Sequence, residues 1–386
     1  MFDLASEYYY PTPYAASPLL PLILLAMAGQ KHSPDTTTDI REEYDYIVDR
    51  QARGVEVDLN GASLKVIARK EVILSAGTIN SAKLLMLSGI GPKEELQKHK
   101  IPVVADLPVG RNLQDHFGSM LNFELSDKIE PFSQKIRKEA NIWEYINSKA
   151  GVMTSVYGVS NIAFLNTLGI NDTNDYPEFE LYFGEGAQEV VKHQFMISMP
   201  YHKAIYEPYK EKPFYWCLSH ILHPKGRGYV TLRSNDPYDP PMIDPKYFSH
   251  PDDLEIVVAG MKKCKEIGES EPLVKIGSKL FSTVYPGCEN TAGDDNKNFR
   301  CMAKSIMITA SHQVGTVKMG DPKDPSTVLD PQLRVKTIRN LRVVDASVMP
   351  NLPSGNTNVP TMMIGEKASD MIKEYIHCNS DNELRT

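Results

Sequence analysis

The sequence predicts an α/β fold that is interrupted by a second domain, and three features indicate this. Apolar strand patterns between residues 64 and 75 run through a glycine turn into a helix, as in a strand-turn-helix unit. Residues 118–300 then change to longer segments that mix polar and aromatic residues. The last segment returns to a buried-strand pattern followed by a helix, so the first domain is predicted to be discontinuous in sequence.

The individual elements follow from periodicity. Residues 64–68 and 71–75 alternate or run apolar, which is typical of strands. Gly77 permits a tight turn into a short helix that Gly89 can end. The remaining predicted elements are helical spacing at 141–146 and 252–267, strand spacing at 179–183, 228–233 and 340–345, and a helical apolar face over 362–375.

Composition and motif content exclude several classes of function. With 386 residues, 41% of them hydrophobic, the chain can bury at least one large core. Its net charge is -7, and its Lys and Arg residues are spread along the sequence, so nucleic acid is not an expected partner. The chain has neither the Gly-x-Ser-x-Gly of a serine hydrolase nor the lysine motif of a P-loop NTPase.

Residues 1–41 are interpreted as leader and spacer. Residues 19–28 form an apolar run of signal-peptide length, too short for a stable membrane span. The segment before this run lacks Lys and Arg, so the alternatives are a secretory leader, which would make the protein extracellular, and a degenerate one. The sequon at Asn171 fits the extracellular alternative.

The five cysteines are too few for a disulfide scaffold, and none has Cys-x-x-Cys spacing. No pair of histidines among His220, His223 and His250 has i,i+4 ligand spacing, so the sequence predicts no metal site. Cys288 and Cys301 flank a polar loop, where a bridge in an oxidising compartment and two free thiols are both possible.

Three blocks of the sequence resemble the glucose-methanol-choline (GMC) oxidoreductases. They are Val-Ile-Leu-Ser-Ala-Gly-Thr-Ile-Asn-Ser with Leu-Ser-Gly-Ile-Gly-Pro (72–92), Pro-Val-Gly-Arg-Asn-Leu-Gln-Asp-His (108–116), and a C-terminal run from His312 through Asp345 to Asn358. The closest likeness is to glucose dehydrogenase-like members that use FAD and a quinone.

The resemblance implies a Rossmann-like FAD-binding domain plus an antiparallel-sheet α+β substrate domain that covers the flavin. The predicted division is a leader at 1–41, a partial FAD-binding domain at 42–117, the substrate domain at 118–300, and a return to the FAD-binding domain at 301–386. Asn112 and His116 are expected to give structural support near the cofactor.

One family feature is absent from the sequence. Members begin with a strand running into Gly-x-Gly-x-x-Gly, which binds the FAD pyrophosphate at a helix N-terminus. Residues 42–48 look like that strand, yet no Gly-x-Gly-x-x-Gly occurs anywhere in the chain. The interpretation is that an internal segment near residues 46–50 has been lost.

Alcohol oxidation removes a hydride from carbon and a proton from oxygen, and a base with near-neutral pKa suits the proton. The resemblance assigns that base to His312, whose following Gln-Val-Gly-Thr-Val-Lys-Met-Gly matches the family loop. Asn356 stands where the family places a second His or Asn, and its amide can hold the substrate oxygen. Its structural alternative is a loop or N-cap Asn before a helix starting near Thr361.

The cofactor contacts implied by the resemblance lie at strand and helix ends. Backbone amides at a helix N-terminus can stabilise the negative edge of reduced flavin, and Pro360 has no amide hydrogen to offer. The predicted FAD-binding residues are Ala76, Gly77, Asp345, Ala346, Asn358 and Val359.

Two hypotheses about function result. The first is an FAD-dependent oxidoreductase acting on an alcohol or a sugar such as glucose, with a quinone or another electron acceptor. The second is a truncated, non-catalytic isoform or remnant that has lost FAD binding.

Overall fold

The computed structural model describes residues 47–59, 62–155, 158–167, 176–186, 191–192, 195, 197–210, 212–291 and 293–383. The predicted leader at 1–41, its apolar run and the Asn171 sequon lie outside these residues. Within them, no helix combines the length and apolar character needed to cross a membrane.

The first part of the chain contains short strands and two helices. In chain order they are β1 Ile47–Val48, β2 Gln51–Ala52, β3 Gly54–Leu59, β4 Ala62–Ile67, β5 Val72–Leu74, α1 Gly77–Leu87, β6 Ile90–Gly91, α2 Lys93–Lys98 and β7 Ala105–Asp106.

The remaining elements are β8 Phe117–Glu124, α3 Phe132–Lys135, α4 Glu139–Ser148, β9 Val159–Leu165, β10 Phe179–Glu185, α5 Met199–Tyr206, β11 Phe214–Ile221, β12 Tyr229–Thr231, β13 Met242–Asp244, α6 Pro251–Gly268, α7 Glu271–Lys275, β14 Lys279–Leu280, α8 Asp295–Ser305, β15 Ile308–Thr309, β16 Leu341–Val343 and α9 Asn358–Glu383. The predicted helices and strands are confirmed, except for the first strand predicted at 42–48. The last helix begins at Asn358, three positions before the predicted start at Thr361, so Pro360 lies in its first turn.

Strand pairing connects the two ends of the predicted discontinuous α/β domain. β16 pairs in parallel with β5, which joins the C-terminal segment to the strand-turn-helix unit. Gly77 starts α1 with a φ of 81°, and Gly89 follows the helix with a φ of 78°, conformations that glycine adopts without a Cβ clash.

The sequence predicts a first strand of the flavin-binding sheet at 42–48, but the described part of this segment forms a hairpin. Ile47 and Val48 pair antiparallel with β2 and close a tight hairpin. The turn residues Asp49 and Arg50 both have positive φ, which is typical of a type I′ turn that reverses the chain. The described part of this segment therefore belongs to a hairpin and not to a parallel flavin-binding sheet.

The substrate part is built on a six-stranded sheet in the order β14-β8-β11-β10-β9, with β15 also paired to β8. The pairings are antiparallel, as the family resemblance implies. One face packs on α6, where a Cβ on Gly260 would come within 1.9 Å of Ser219 Oγ. Glycine at this position lets α6 lie against the sheet. The opposite face of the sheet remains for contacts with other segments of the chain.

Two hydrophobic cores correspond to the two parts. One surrounds β8, β10, β11 and α6, and the other surrounds α1, β16 and the loops after residue 313. Val230 and Leu232 pack in the second of these cores, although they lie inside the segment 118–300 predicted for the substrate domain. The loop around β12 therefore packs on the α/β part, although it belongs to the segment predicted for the substrate domain.

Two disulfides are present among the described cysteines. Cys288 and Cys301 form a disulfide bridge. The sequence allowed either this bridge or two free thiols, and the alternative of free thiols is wrong. Cys217–Cys264 was not predicted; it joins β11 to α6 across 47 residues of sequence. Strand and helix spacing could not reveal this pair, because its proximity depends on how α6 packs on the sheet.

We predict that mild reduction of the folded chain opens Cys288–Cys301 before Cys217–Cys264. Cys301 is partly buried, whereas Cys217 and Cys264 are fully buried and closed to a reductant. Loop-closure entropy adds about 3 kcal/mol for the short loop and about 4 kcal/mol for the long one. Stepwise reduction, alkylation and peptide mapping would measure the order, and free thiols at Cys288 and Cys301 in oxidised, secreted material would contradict the bridge.

Candidate active site

Strand pairing brings two distant histidines together. β15 pairs with the start of β8, and the Ala310 amide donates to the His116 carbonyl at 2.9 Å. His116 precedes β8 and His312 follows β15, so their side chains meet at the same end of the sheet. Their Nδ1 atoms lie 2.9 Å apart, with the rings edge to face.

The buried Asp115 carboxylate holds the His312 loop. Oδ1 accepts the His312 amide at 2.9 Å, and Oδ2 accepts the Tyr247 hydroxyl at 2.5 Å. Thr309 Oγ1 and Gln313 Nε2 donate to the same Oδ2. Burial raises the pKa of Asp115, while these donors and His220 oppose that rise.

Both histidines are held as neutral rings. Burial, followed by the nearby His312 and His220, lowers the pKa of His116 to about 3. Burial also lowers the pKa of His312, against the opposing effect of Glu180. His116 Nε2 lies 3.1 Å from the Leu222 carbonyl oxygen, an atom that can only accept a hydrogen bond.

The free face of the sheet carries three further polar side chains. Glu180 and His220 are cross-strand partners on β10 and β11, and Tyr182 follows two residues after Glu180 on the same face. His220 Nδ1 lies 3.8 Å from Glu180 Oε1, and both residues are buried. Neither oxygen of Glu180 and neither ring nitrogen of His220 has a hydrogen-bond partner among the described residues.

Asn356, the predicted oxygen anchor, is exposed on the loop before α9. Its Oδ1 accepts the Tyr182 hydroxyl at 2.9 Å, so its Nδ2 remains available for another acceptor. Burial raises the pKa of Tyr182, with a further rise from Glu180, and the phenol therefore stays a donor. Tyr182 also contacts His220 edge to face, which connects Asn356 to the buried polar cluster.

The predicted strand-end residues lie together beneath the His312 loop. The Asp345 carboxylate accepts the Gly77 amide at 3.0 Å, the Ser81 hydroxyl at 2.5 Å and the Ser347 amide at 2.8 Å. The Ala346 carbonyl accepts the Gly315 amide. Asp345 thus joins β16 to α1, and a Cβ added at Gly77 would meet open space.

The residues fit the ring end of a flavin better than its phosphate end. At the N-terminus of α9, Asn358 and Val359 are exposed, and Val359 has 70% of its surface accessible. Their position next to the Asn356 loop suits the negative edge of a reduced flavin. In the described residues, however, β5 and β16 form a two-stranded parallel sheet with no glycine-rich turn for a pyrophosphate.

Sequence reasoning assigned no chemical role to Asp115, Glu180, Tyr182 and His220. Asp115 precedes His116 in the block 108–116, so the sequence gives its place in the motif. The sequence does not give its hydrogen-bond partners. Glu180 and Tyr182 lie two residues apart on a predicted strand and therefore on one face of it. Residue spacing does not tell whether that face is directed towards the loops that carry His312 and Asn356. Asn112, expected to give support, donates from Nδ2 to the Gly315 carbonyl at 3.2 Å.

Comparison with known proteins agrees with this arrangement. Family profiles described as GMC oxidoreductase match residues 46–118 and 224–365. Glucose dehydrogenase (FAD, quinone) of Drosophila melanogaster is 35% identical over 324 residues, which are 83% of this chain and 49% of that protein. Mitochondrial choline dehydrogenase of Homo sapiens is 36% identical over 360 residues, covering 90% of this chain and 56% of its own length.

Solved structures show the same likeness. A formate oxidase structure from Aspergillus oryzae RIB40 superposes with a TM-score of 0.71 at 27% identity, over 85% of this chain and 58% of the other. The chain spans about half the length of the curated relatives that it matches. The two family profiles and the shared fold show that the chain belongs to the GMC oxidoreductase family.

Proposed function

We propose that the site supports FAD-dependent oxidation of a small alcohol or sugar, with His312 as the base and Asn356 as the oxygen anchor. The observation that carries the proposal is the hydrogen-bonded pair of His116 and His312, held by Asp115 next to the Asn356 loop. Names of relatives such as glucose dehydrogenase and choline dehydrogenase support a small hydroxyl compound as substrate. A quinone or another acceptor would take the electrons.

The hydrogen bonds set the tautomer of the base. The Leu222 carbonyl requires a proton on His116 Nε2, so neutral His116 accepts at Nδ1. His312 must then carry its own proton on Nδ1 and donate it to His116. The lone pair of His312 Nε2 is left for the substrate hydroxyl, which gives the base the form that proton removal requires.

Asn356 and the helix behind it complete the proposed site. With Oδ1 occupied by Tyr182, the Asn356 amide can donate from Nδ2 to the substrate oxygen. The amides of Asn358 and Val359 would lie along the negative edge of the flavin, and the backbone at Ala76, Gly77, Asp345 and Ala346 would contact the rest. FAD, when bound, supplies the hydride acceptor.

A second candidate is a non-catalytic form of the family fold. The absence of a Gly-x-Gly-x-x-Gly segment and the two-stranded parallel sheet favour it, because both remove the binding place for the pyrophosphate. Exposed apolar residues near the N-terminus of α9 also fit the loss of a packing partner. These are Val359, Met362 and Met363, with 70%, 59% and 58% of their surfaces accessible.

We also propose that the protein is secreted. Two disulfides are typical of an oxidising compartment, and both join parts of the substrate domain to each other. The apolar segment at 19–28 has the length of a signal sequence, although it lies outside the described residues.

We predict that this chain binds FAD weakly and tends to aggregate. Among the described residues, no helix begins at a glycine-rich turn that could hold two phosphates, and the exposed apolar residues on α9 favour self-association. Residues 29–386 would be expressed, desalted and examined by visible spectroscopy and light scattering. A monodisperse sample with stoichiometric flavin would contradict the prediction and remove the main support for the non-catalytic form.

We predict that His312 carries its neutral proton on Nδ1. Nitrogen-15 spectra of histidine-labelled chain would distinguish protonated from unprotonated ring nitrogens. His116→Phe should change His312 to a mixture of tautomers, whereas His116→Gln should preserve the native form, because its amide can donate to Leu222 and accept from His312. A proton on His312 Nε2 in the parent chain would show that the tautomer argument is wrong.

In a chimera that carries a family glycine-rich segment near residues 46–50, His312→Ala should slow flavin reduction by alcohol about 10²- to 10⁴-fold without releasing flavin. Asn356→Ala should cost on the order of 10²- to 10³-fold, as for one donor in an oxyanion site. His250→Ala, at the N-terminus of α6, is the matched control. Anaerobic stopped-flow absorbance would report the step, and reduction at the parental rate in His312→Ala would exclude this histidine as the base.

A further inference from the structure

We propose that His116, Glu180 and His312 form a binding site for one zinc ion. One nitrogen or oxygen atom from each of the three side chains lies within 4.8 Å of the other two. His116 and Glu180 are fully buried, and His312 is partly buried at the loop surface. Two imidazoles and one carboxylate are a protein ligand set found in zinc sites that keep a fourth position open.

The buried carboxylate is the observation that points to a cation. Glu180 has no accessible surface, and neither of its oxygens has a hydrogen-bond partner among the described residues. A buried carboxylate needs a hydrogen-bonded or charged partner. His220 Nδ1 lies 3.8 Å from Oε1, which is beyond hydrogen-bond distance and makes an ion pair only with a protonated imidazole. A dication between the carboxylate and the two rings would supply the missing partner.

The histidine geometry fits coordination. His116 already directs Nε2 at the Leu222 carbonyl, and metal-bound histidines usually donate their second nitrogen in this way. The two Nδ1 atoms are 2.9 Å apart. Tetrahedral zinc with bonds of about 2.0–2.1 Å separates its ligands by roughly 3.3 Å, so the rings need to part by only about 0.4 Å. The Glu180 oxygen, within 4.8 Å of both ring nitrogens, must also move closer to complete the coordination.

The ligand set selects the kind of metal. Imidazole nitrogen suits zinc and other late first-row metals, whereas Mg²⁺ and Ca²⁺ prefer all-oxygen sites. The sequence predicted no metal site because its ligands come from three segments, around residues 116, 180 and 312, with no fixed spacing. Under the proposed function, zinc on His312 Nδ1 would move the ring proton to Nε2, so the ring could no longer accept the substrate proton and zinc would inhibit the alcohol oxidation.

The test uses the oxidised full chain, stripped of metal and without flavin or alcohol, so it is independent of the proposed function. Calorimetric titration with zinc chloride should show one site per chain, and magnesium chloride should show none. Glu180→Gln and His116→Gln should weaken zinc binding at least tenfold. Glu185→Gln, on the same strand, and His223→Gln are matched controls that should retain it, and circular dichroism would verify the fold of each variant.

X-ray absorption of the zinc-loaded parent chain gives a second measurement that requires no variant. It should show two imidazole ligands and oxygen without sulfur. Absence of zinc binding, equal binding by Glu180→Gln and Glu185→Gln, or sulfur coordination would overturn the proposal.

Discussion

The pairing of β15 with the start of β8 is the contact on which the site depends. It places residues 308–309 beside 117–118 and brings together segments almost two hundred residues apart. Asp115 then holds the loop through the His312 amide, because its buried carboxylate accepts that amide and three side-chain donors. Hydrogen bonds to a charged group contribute about 1.5–3 kcal/mol each, so the loop is held in one conformation.

The sheet has a structural face and a chemical face. On the structural face, Gly260 and the Cys217–Cys264 bridge hold α6 against β11. On the other face, strand alternation directs Glu180, Tyr182 and His220 towards the two loops that carry His312 and Asn356. Rigid packing on one side thus fixes the positions of titratable groups on the other, which is how a scaffold positions reactive side chains.

In the described residues, the α/β part contains the strand and helix ends proposed to lie near a flavin ring, and it contains no glycine-rich turn for the phosphates. Asp345 joins β16 to α1, and the N-terminus of α9 follows closely after the Asn356 loop. The hairpin of β1 and β2 occupies the place in the sequence where the family has a strand and a glycine turn. The residues proposed for proton removal and the segment expected to hold a pyrophosphate therefore lie in different parts of the chain.

The sequence by itself determined the family, the main helices and strands, and the candidate residues His312 and Asn356. These follow from local periodicity and contiguous motifs, which can be recognised in the sequence without knowledge of distant contacts. Only the tertiary structure decided the Cys217–Cys264 bridge, the hairpin at residues 47–52, and the contacts of Asp115, Glu180 and His220. Each of those depends on which face of a strand meets a segment far along the chain, and residue spacing carries no information on that choice.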